Sequence, residues 1–231
     1  MLKVFDIPYH EEGTFMERKN RFLGIVDVKG EVEKVHVRDP GRLEELLYPG
    51  NRVLISKAND PNRKTSWDLI AARFGEDWVL VNSGFHPRIA RWVLENQKLD
   101  LYGTTQDWQQ EKKLGDSRID FFTKTGGQEL WVEVKGCTLA VGGKALFPDA
   151  PTTRGTRHVR ELIKVVERGH RAGLLILVFR SDAKCFSPYR ERDPEFAAAF
   201  REAVDAGVEV RPLVFSYENR CLHYRRPLTL C

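Results

Sequence analysis

The chain of 231 residues (26.6 kDa) is 30% charged and 42% hydrophobic, which excludes a disordered or collagen-like polymer and fits one large or two small domains. Residues 1–84 carry 13 basic against 14 acidic side chains and the remainder 24 against 19, a surplus compatible with nucleic acid yet common in enzymes. The longest apolar run, 172–179, is far short of the roughly 20 residues of a membrane span, and the charged start is no signal peptide, so a cytoplasmic protein without a membrane partner is expected.

In chain order, residues 21–28 and 31–37 alternate apolar and polar side chains around Lys29-Gly30, which predicts a hairpin. Asp39-Pro40-Gly41 reads as a turn, 41–47 as a short helix, and Pro49-Gly50 as its end. Residues 51–58 and 67–74 read as strands around the polar stretch 59–64, and 78–82 as one more. Five short strands with one small helix suggest a barrel of the OB type, a small open sandwich being the alternative.

Residues 87–97 have helical spacing, with Ile89, Val93 and Leu94 on one side. Strands are expected at 104–114, 118–124 and 129–138. Thr156 is a candidate cap for a helix over 157–168 that Gly169 ends. The uniformly apolar 172–179 predicts a strand buried on both faces. Asp193 or Pro194 opens a helix to Ala206, and 208–215 reads as a closing strand. This order predicts an antiparallel hairpin feeding a mixed sheet flanked by helices, with domains at 1–84 and 85–231. The four cysteines are scattered with no Cys-x-x-Cys pair, so neither a disulfide framework nor a zinc site is expected.

The chemistry-bearing residues lie in the second part. Period-two alternation puts Glu133 and Lys135 on one strand face, and Asp120 comes from the partner strand. Two close carboxylates repel and call for a cation; oxygen ligands of this kind suit Mg²⁺. A nearby lysine can orient water for attack on phosphorus. Read blandly, the same residues are the wet face of a strand and a turn-proximal acid. Glu111 offers a third acid, beside Lys112 and Lys113. The segment 147–156 opens a helix whose first turns carry Arg154, Arg157 and Arg160, cations that oppose the helix dipole unless an anion binds there. His158 and Glu161 share a face of that helix. In the first part Arg63, Lys64 and Trp67, with Arg18, Lys19, Arg21 and Phe22, interleave bases and rings as a single-strand groove needs, although Trp67 and Phe22 also suit a barrel core. The other five histidines, His86 among them, show no metal-ligand spacing. No Walker A loop, Gly-x-Gly-x-x-Gly or Ser/His/Asp signature occurs.

Ser117-Arg118-Ile119-Asp120-Phe121, Val132-Glu133-Val134-Lys135, Phe147-Pro148-Asp149-Ala150, Thr153-Arg154-Gly155 and His158-Val159-Arg160-Glu161-Leu162 resemble the sugar fermentation stimulation protein A (SfsA) family, and the resemblance continues through Phe186-Ser187-Pro188 to Val210. It implies an N-terminal OB-fold barrel and a C-terminal PD-(D/E)xK nuclease-like domain that binds DNA or RNA. By that resemblance Asp120, Glu133 and Lys135 are the catalytic set, and Asp120, Glu133 and Glu111 would hold Mg²⁺ or Mn²⁺. No organic cofactor is implied. Arg118, Arg154, His158 and Glu161 also fall on motif positions, and Arg157 joins them as a nucleic-acid contact. Two positions depart from the family's pattern. Asp39-Pro40-Gly41 stands where Asn-Thr-Gly is common, and Arg91-Trp92 where acids open the first helix; Glu95, one turn on, is the candidate substitute. Two readings follow, a metal-dependent nuclease or a non-catalytic DNA-binding regulator of sugar-utilisation genes. A sugar-metabolising enzyme has no residue in its support. A homodimer stays open.

Overall fold

A computed structural model describes residues 1–58, 60, 62–103 and 107–231. Residues 104–106, the start of the strand expected at 104–114, and positions 59 and 61 of the polar stretch lie outside the described residues.

After β1 (Leu2–Asp6), five strands form the barrel: β2 (Glu11–Asn20), β3 (Leu23–Val28), β4 (Glu31–His36), β5 (Arg52–Lys57) and β6 (Trp67–Phe74). They follow the order β4-β3-β2-β5-β6, and a parallel pairing of Val35 with Trp67 and His36 with Asp68 closes the ring. The expected hairpin is present as β3–β4, its turn held by positive φ at Lys29 and Gly30 and by the Gly30 N–H donated to Asp27. The closed barrel replaces the open-sandwich alternative.

Two details of the barrel differ from expectation. Its remaining strand is β2, which the alternation hid because Phe15 is its one buried residue; the strand expected at 78–82 is β7 (Asp77–Leu80), which pairs with β6 and, on its other side, with the strand Glu209–Glu218 of the second part. The helix expected at 41–47 does not form. The Arg18 guanidinium takes the carbonyls of Arg21, Asp39, Gly41 and Arg42 at 2.6–2.9 Å, so those of Gly41 and Arg42 are withdrawn from i→i+4 pairing, and Leu43 turns to φ 52°. Leu43, Leu46 and Leu47 enter the core as an irregular bend instead.

A short 3₁₀ turn (Ser83–Phe85) leads into α1 (His86–Glu95). The second part is built on β8 (Gln109–Leu114), β9 (Ser117–Thr125), β10 (Gln128–Cys137), β13 (Arg171–Val178), β15 (Glu209–Glu218) and β16 (Cys221–Pro227). β10, β13 and β15 run parallel, while β8–β9–β10 and β15–β16 are antiparallel, the mixed sheet expected. β1 pairs with β16, so the first strand of the chain is sewn into this sheet. Leu174 to Val178 are all fully buried, as the unbroken apolar run required. One sheet face shares its core with α1 and the barrel; the other carries α2 (Thr153–Glu167) and α3 (Pro194–Ala206).

The cap of α2 is Thr152, whose hydroxyl accepts the Gly155 N–H, and the helix starts one turn before the expected Thr156. Thr156 lies inside it, donating its hydroxyl back to the Thr152 carbonyl. A small second sheet joins β11 (Ala140–Val141), β12 (Lys144–Phe147), β14 (Cys185–Pro188) and β17 (Thr229–Leu230), and a Cys185–Cys231 disulfide ties its last strands. The expectation of no disulfide fails there. The two cysteines lie 46 residues apart, and only the parallel pairing of Cys185 with Thr229 brings them together. Among the described residues no helix is long and apolar enough to cross a membrane.

Asp193 joins the two helices of the outer face. Buried, it caps α3 by accepting the Phe196 N–H at 2.9 Å and takes the Thr152 N–H of the α2 cap at 2.8 Å with its other oxygen. Asp193→Ala orphans both donors and is expected to lower unfolding free energy by about 2–3 kcal/mol in denaturant titration, whereas Asp193→Asn keeps one acceptor and loses less.

Candidate active site

The β9–β10 ladder runs from the Thr125–Gln128 pair to Phe121–Val132 and then stops. Where the next rung would fall, the Asp120 carboxylate accepts the Val134 N–H at 2.7 Å. The strands open at that point, and Asp120 holds the opening. Glu133 and Lys135 share the β10 face turned to α2, while Val132 and Val134 pack on the barrel side, as period-two alternation required.

Glu133 is 2% exposed, and both its neighbours bind one oxygen. Lys135 Nζ and His158 Nδ1 each lie 2.5 Å from Glu133 Oε1. Arg154 Nε donates to His158 Nε2 at 3.4 Å; arginine only donates, so Nε2 accepts and the imidazole proton sits on Nδ1, aimed at Glu133. Glu133 Oε2 is buried with no hydrogen-bond partner among the described residues. Burial opposes the charge of Glu133, but Lys135 and His158 outweigh it and hold its pKa below the ordinary range. Asp120 goes the other way: burial, then the Glu133 charge, push it up to about 6 against the pull of Lys135 and the Val134 N–H.

A cavity of about 860 Å³ opens over this cluster at the junction of barrel and sheet. Its walls include Asp39, Glu111, Asp120, Glu133 and Asp149 against the cations Arg21, Lys135 and Arg154, an excess of carboxylates. The barrel wall is the bend that Arg18 organises. Asp149 packs so closely on Gly41 that a Cβ there would collide with its carboxylate, and its Oδ2 accepts the Leu43 N–H at 3.4 Å. Asp39 closes an Asx turn by accepting the Gly41 N–H at 2.8 Å. Burial, reinforced by Asp149, pushes Asp39 up to about 6 although the Gly41 N–H and Arg18 oppose it.

Sequence alone assigns His86, Asp39 and Asp149 no role at this site. His86 lies at the start of α1, stacked on Phe179 at 5.3 Å between ring centroids, and its ring occupies the space a Cβ at Gly136 would need. Burial lowers its pKa to about 4, so it stays neutral at physiological pH. Asp149 falls within Phe147-Pro148-Asp149-Ala150, its one signal in the sequence; His86 shows none beyond its place before Pro87.

The structure draws Asp120, Glu133, Lys135, Arg154 and His158 together, leaves Glu111 on the cavity wall, and sends the other candidates elsewhere. His158, expected to touch nucleic acid, is buried against Glu133 and orients it. Glu111 lies opposite Asp120 in the β8–β9 register, but its φ is 54°, its side chain is exposed, and Arg118 pairs with it at 3.9 Å. Arg157 is exposed and does not line the cavity over this cluster. Glu161 accepts from Lys164 and packs beside Gly115 at the β8–β9 turn. Glu95 is bound to Arg91 at 2.7 Å at the far end of α1. On the barrel, Arg63 is spent on Asp68 and His36, Trp67 is buried under Lys57, and Lys64 alone of the three is exposed. Among the described residues no group of three His, Cys, Asp or Glu side chains stands ready to ligate one metal ion.

An OB barrel that walls a carboxylate–lysine cleft on a mixed α/β sheet defines the class of protein. Residues 16–81 match the family model of the SfsA N-terminal OB domain, and residues 84–221 that of the sugar fermentation stimulation protein RE domain. The chain belongs to the sugar fermentation stimulation protein (SfsA) family. It is 52% identical to a sugar fermentation stimulation protein homolog of Methanococcoides burtonii, covering 99% of this chain and 95% of that one, and 44% identical to that of Thermotoga neapolitana (98% and 97%). The solved structure of Pyrococcus furiosus SfsA in complex with Ca²⁺ superposes with a TM-score of 0.90 at 27% identity over the whole of both chains.

The raised pKa of Asp39 has a sign that can be checked. Between about pH 4 and 6 the folded state keeps a proton that the unfolded chain releases, so this group's contribution to stability falls through that window and is flat above it. Asp39→Asn keeps the Asx turn without the charge. It is expected to match wild type near pH 4 and exceed it by about 1–2 kcal/mol at pH 7–8, read from denaturant midpoints at each pH.

Proposed function

We propose that this chain is a cytoplasmic nucleic-acid-binding protein whose junction cleft hydrolyses phosphodiesters with a divalent metal ion. The observation that carries the reading is Glu133 Oε2, a buried carboxylate oxygen left without a hydrogen-bond partner among the described residues while its twin takes two donors. A buried unpaired oxygen is costly, and a cation beside it satisfies the group and the excess of carboxylates at once. Asp120 and Glu133 would hold the ion, Mg²⁺ or Mn²⁺, with Glu111 the third acid on the cavity wall. Ca²⁺ in the Pyrococcus furiosus relative shares this preference for oxygen ligands and supports the choice. When bound, the ion supplies Lewis-acid polarisation of a phosphoryl oxygen.

The chain's own residues do the rest. Lys135 gives one N–H to Glu133 and has two more to orient a water and to meet the charge that grows on phosphorus oxygens. Arg154, on the cavity wall at the start of α2, positions a phosphate there with the dipole of its helix. Arg154 and His158 together keep Glu133 turned so that Oε1 faces its donors and Oε2 stays free.

A second reading, a non-catalytic DNA-binding regulator on the same scaffold, is favoured by the lack of a three-ligand cluster among the described residues. Calorimetry with Mg²⁺ and Mn²⁺ separates the two. Wild type should bind metal at micromolar to millimolar levels, and Glu133→Gln, which keeps the shape, should lose it. Lys135→Gln retains a donor to Glu133 and should keep the metal while cleavage of labelled oligonucleotides falls by about 100-fold or more. Oligonucleotide binding without metal uptake or cleavage would establish the regulator instead.

A further inference from the structure

We propose that Phe22 and Arg21, at the β2–β3 turn of the barrel, form a stacking subsite that feeds a single-stranded polynucleotide into the cleft. The inference rests on the nuclease reading and names its substrate class. Phe22 leaves half of its surface in water. A lone exposed ring would need no explanation. This one sits on a fixed backbone: its N–H is given to Asn20 Oδ1 at 2.9 Å and its carbonyl takes the Val37 N–H at 3.0 Å. The ring is presented to solvent by a segment that has little freedom to withdraw it. Its one ring neighbour among the described residues is His36, edge-on at 6.5 Å and itself part-exposed, which Arg63 anchors through Nδ1 at 2.9 Å.

The adjoining residue supplies direction. Arg21 lies on the wall of the cavity that holds Asp120, Glu133 and Lys135, and its guanidinium has no ion pair among the described residues. Neighbouring Cα atoms are about 3.8 Å apart. A base stacked on Phe22 would thus lie one residue along the chain from a cation on the cavity wall, the arrangement that leads the strand's backbone toward the cleft. Cation and ring are the two contacts a single strand needs. A duplex cannot use the ring, because its bases already stack on each other.

The test is fluorescence anisotropy with labelled oligo(dT) and oligo(U), and with a duplex of equal length, in Ca²⁺ to suppress cleavage. Both single strands are used because the contact reads base and phosphate, not the 2′-hydroxyl. Phe22→Ala is expected to weaken single-strand binding roughly 5- to 150-fold, with duplex affinity, calorimetric metal affinity and melting temperature unchanged. Phe22→Trp should restore binding and show tryptophan quenching when either strand is added. Wild-type single-strand binding that Phe22→Ala leaves intact would overturn the subsite and spare the nuclease reading. Equal losses for single strand and duplex would also overturn it, since stacking cannot act on both. Failure of wild type to bind any polynucleotide or metal would remove the nuclease reading, and this inference with it.

Discussion

Everything in the cleft turns on one carboxylate with unequal oxygens. Glu133 is buried, and its charge survives because Lys135 and His158 both reach Oε1. Removing a buried charge's partner costs about 3–5 kcal/mol, so the strand, the helix and their relative placement are all constrained to keep those donors in range. The constraint reaches outward. His158 is aimed by Arg154, both belong to α2, and the start of α2 is tied to α3 through the double cap of Asp193. What the arrangement leaves over is Oε2, and the proposed chemistry begins there.

The second carboxylate has a different origin. Asp120 stands where the β9–β10 ladder ends, and it satisfies the Val134 N–H that a further rung would have taken. A strand pair that stayed zipped would have placed a backbone carbonyl at that N–H. The opening thus makes room for a side chain and brings it beside Glu133 in one step, and burial, with the Glu133 charge added to it, raises the pKa of Asp120.

The barrel is part of the site rather than an appendage. Arg18 gathers three carbonyls of the 39–42 loop and that of Arg21, the loop so shaped carries Asp39 and Gly41 to the cavity, and Asp149 from the sheet side closes on Gly41. Neither half alone encloses the space. The same dependence explains the misplaced barrel candidates. Arg63 and Trp67 have the composition of a binding groove, but one is neutralised by Asp68 and the other is core, whereas the neighbouring Phe22 is held open to solvent.

Several features were legible from local rules alone. The β3–β4 hairpin follows from Lys29-Gly30, the doubly buried β13 from an unbroken apolar run, and the shared face of Glu133 and Lys135 from the period of a strand. Each of these depends on residues close in the chain. Other outcomes depended on partners far away in sequence: the helix at 41–47 lost to Arg18, strand β2 completing the ring with a single buried phenylalanine, and Cys185 meeting Cys231. Residue types and their period determined which chemistry the chain could hold. Tertiary packing decided which of those groups meet, because burial and hydrogen-bond competition are settled only when distant segments share one space.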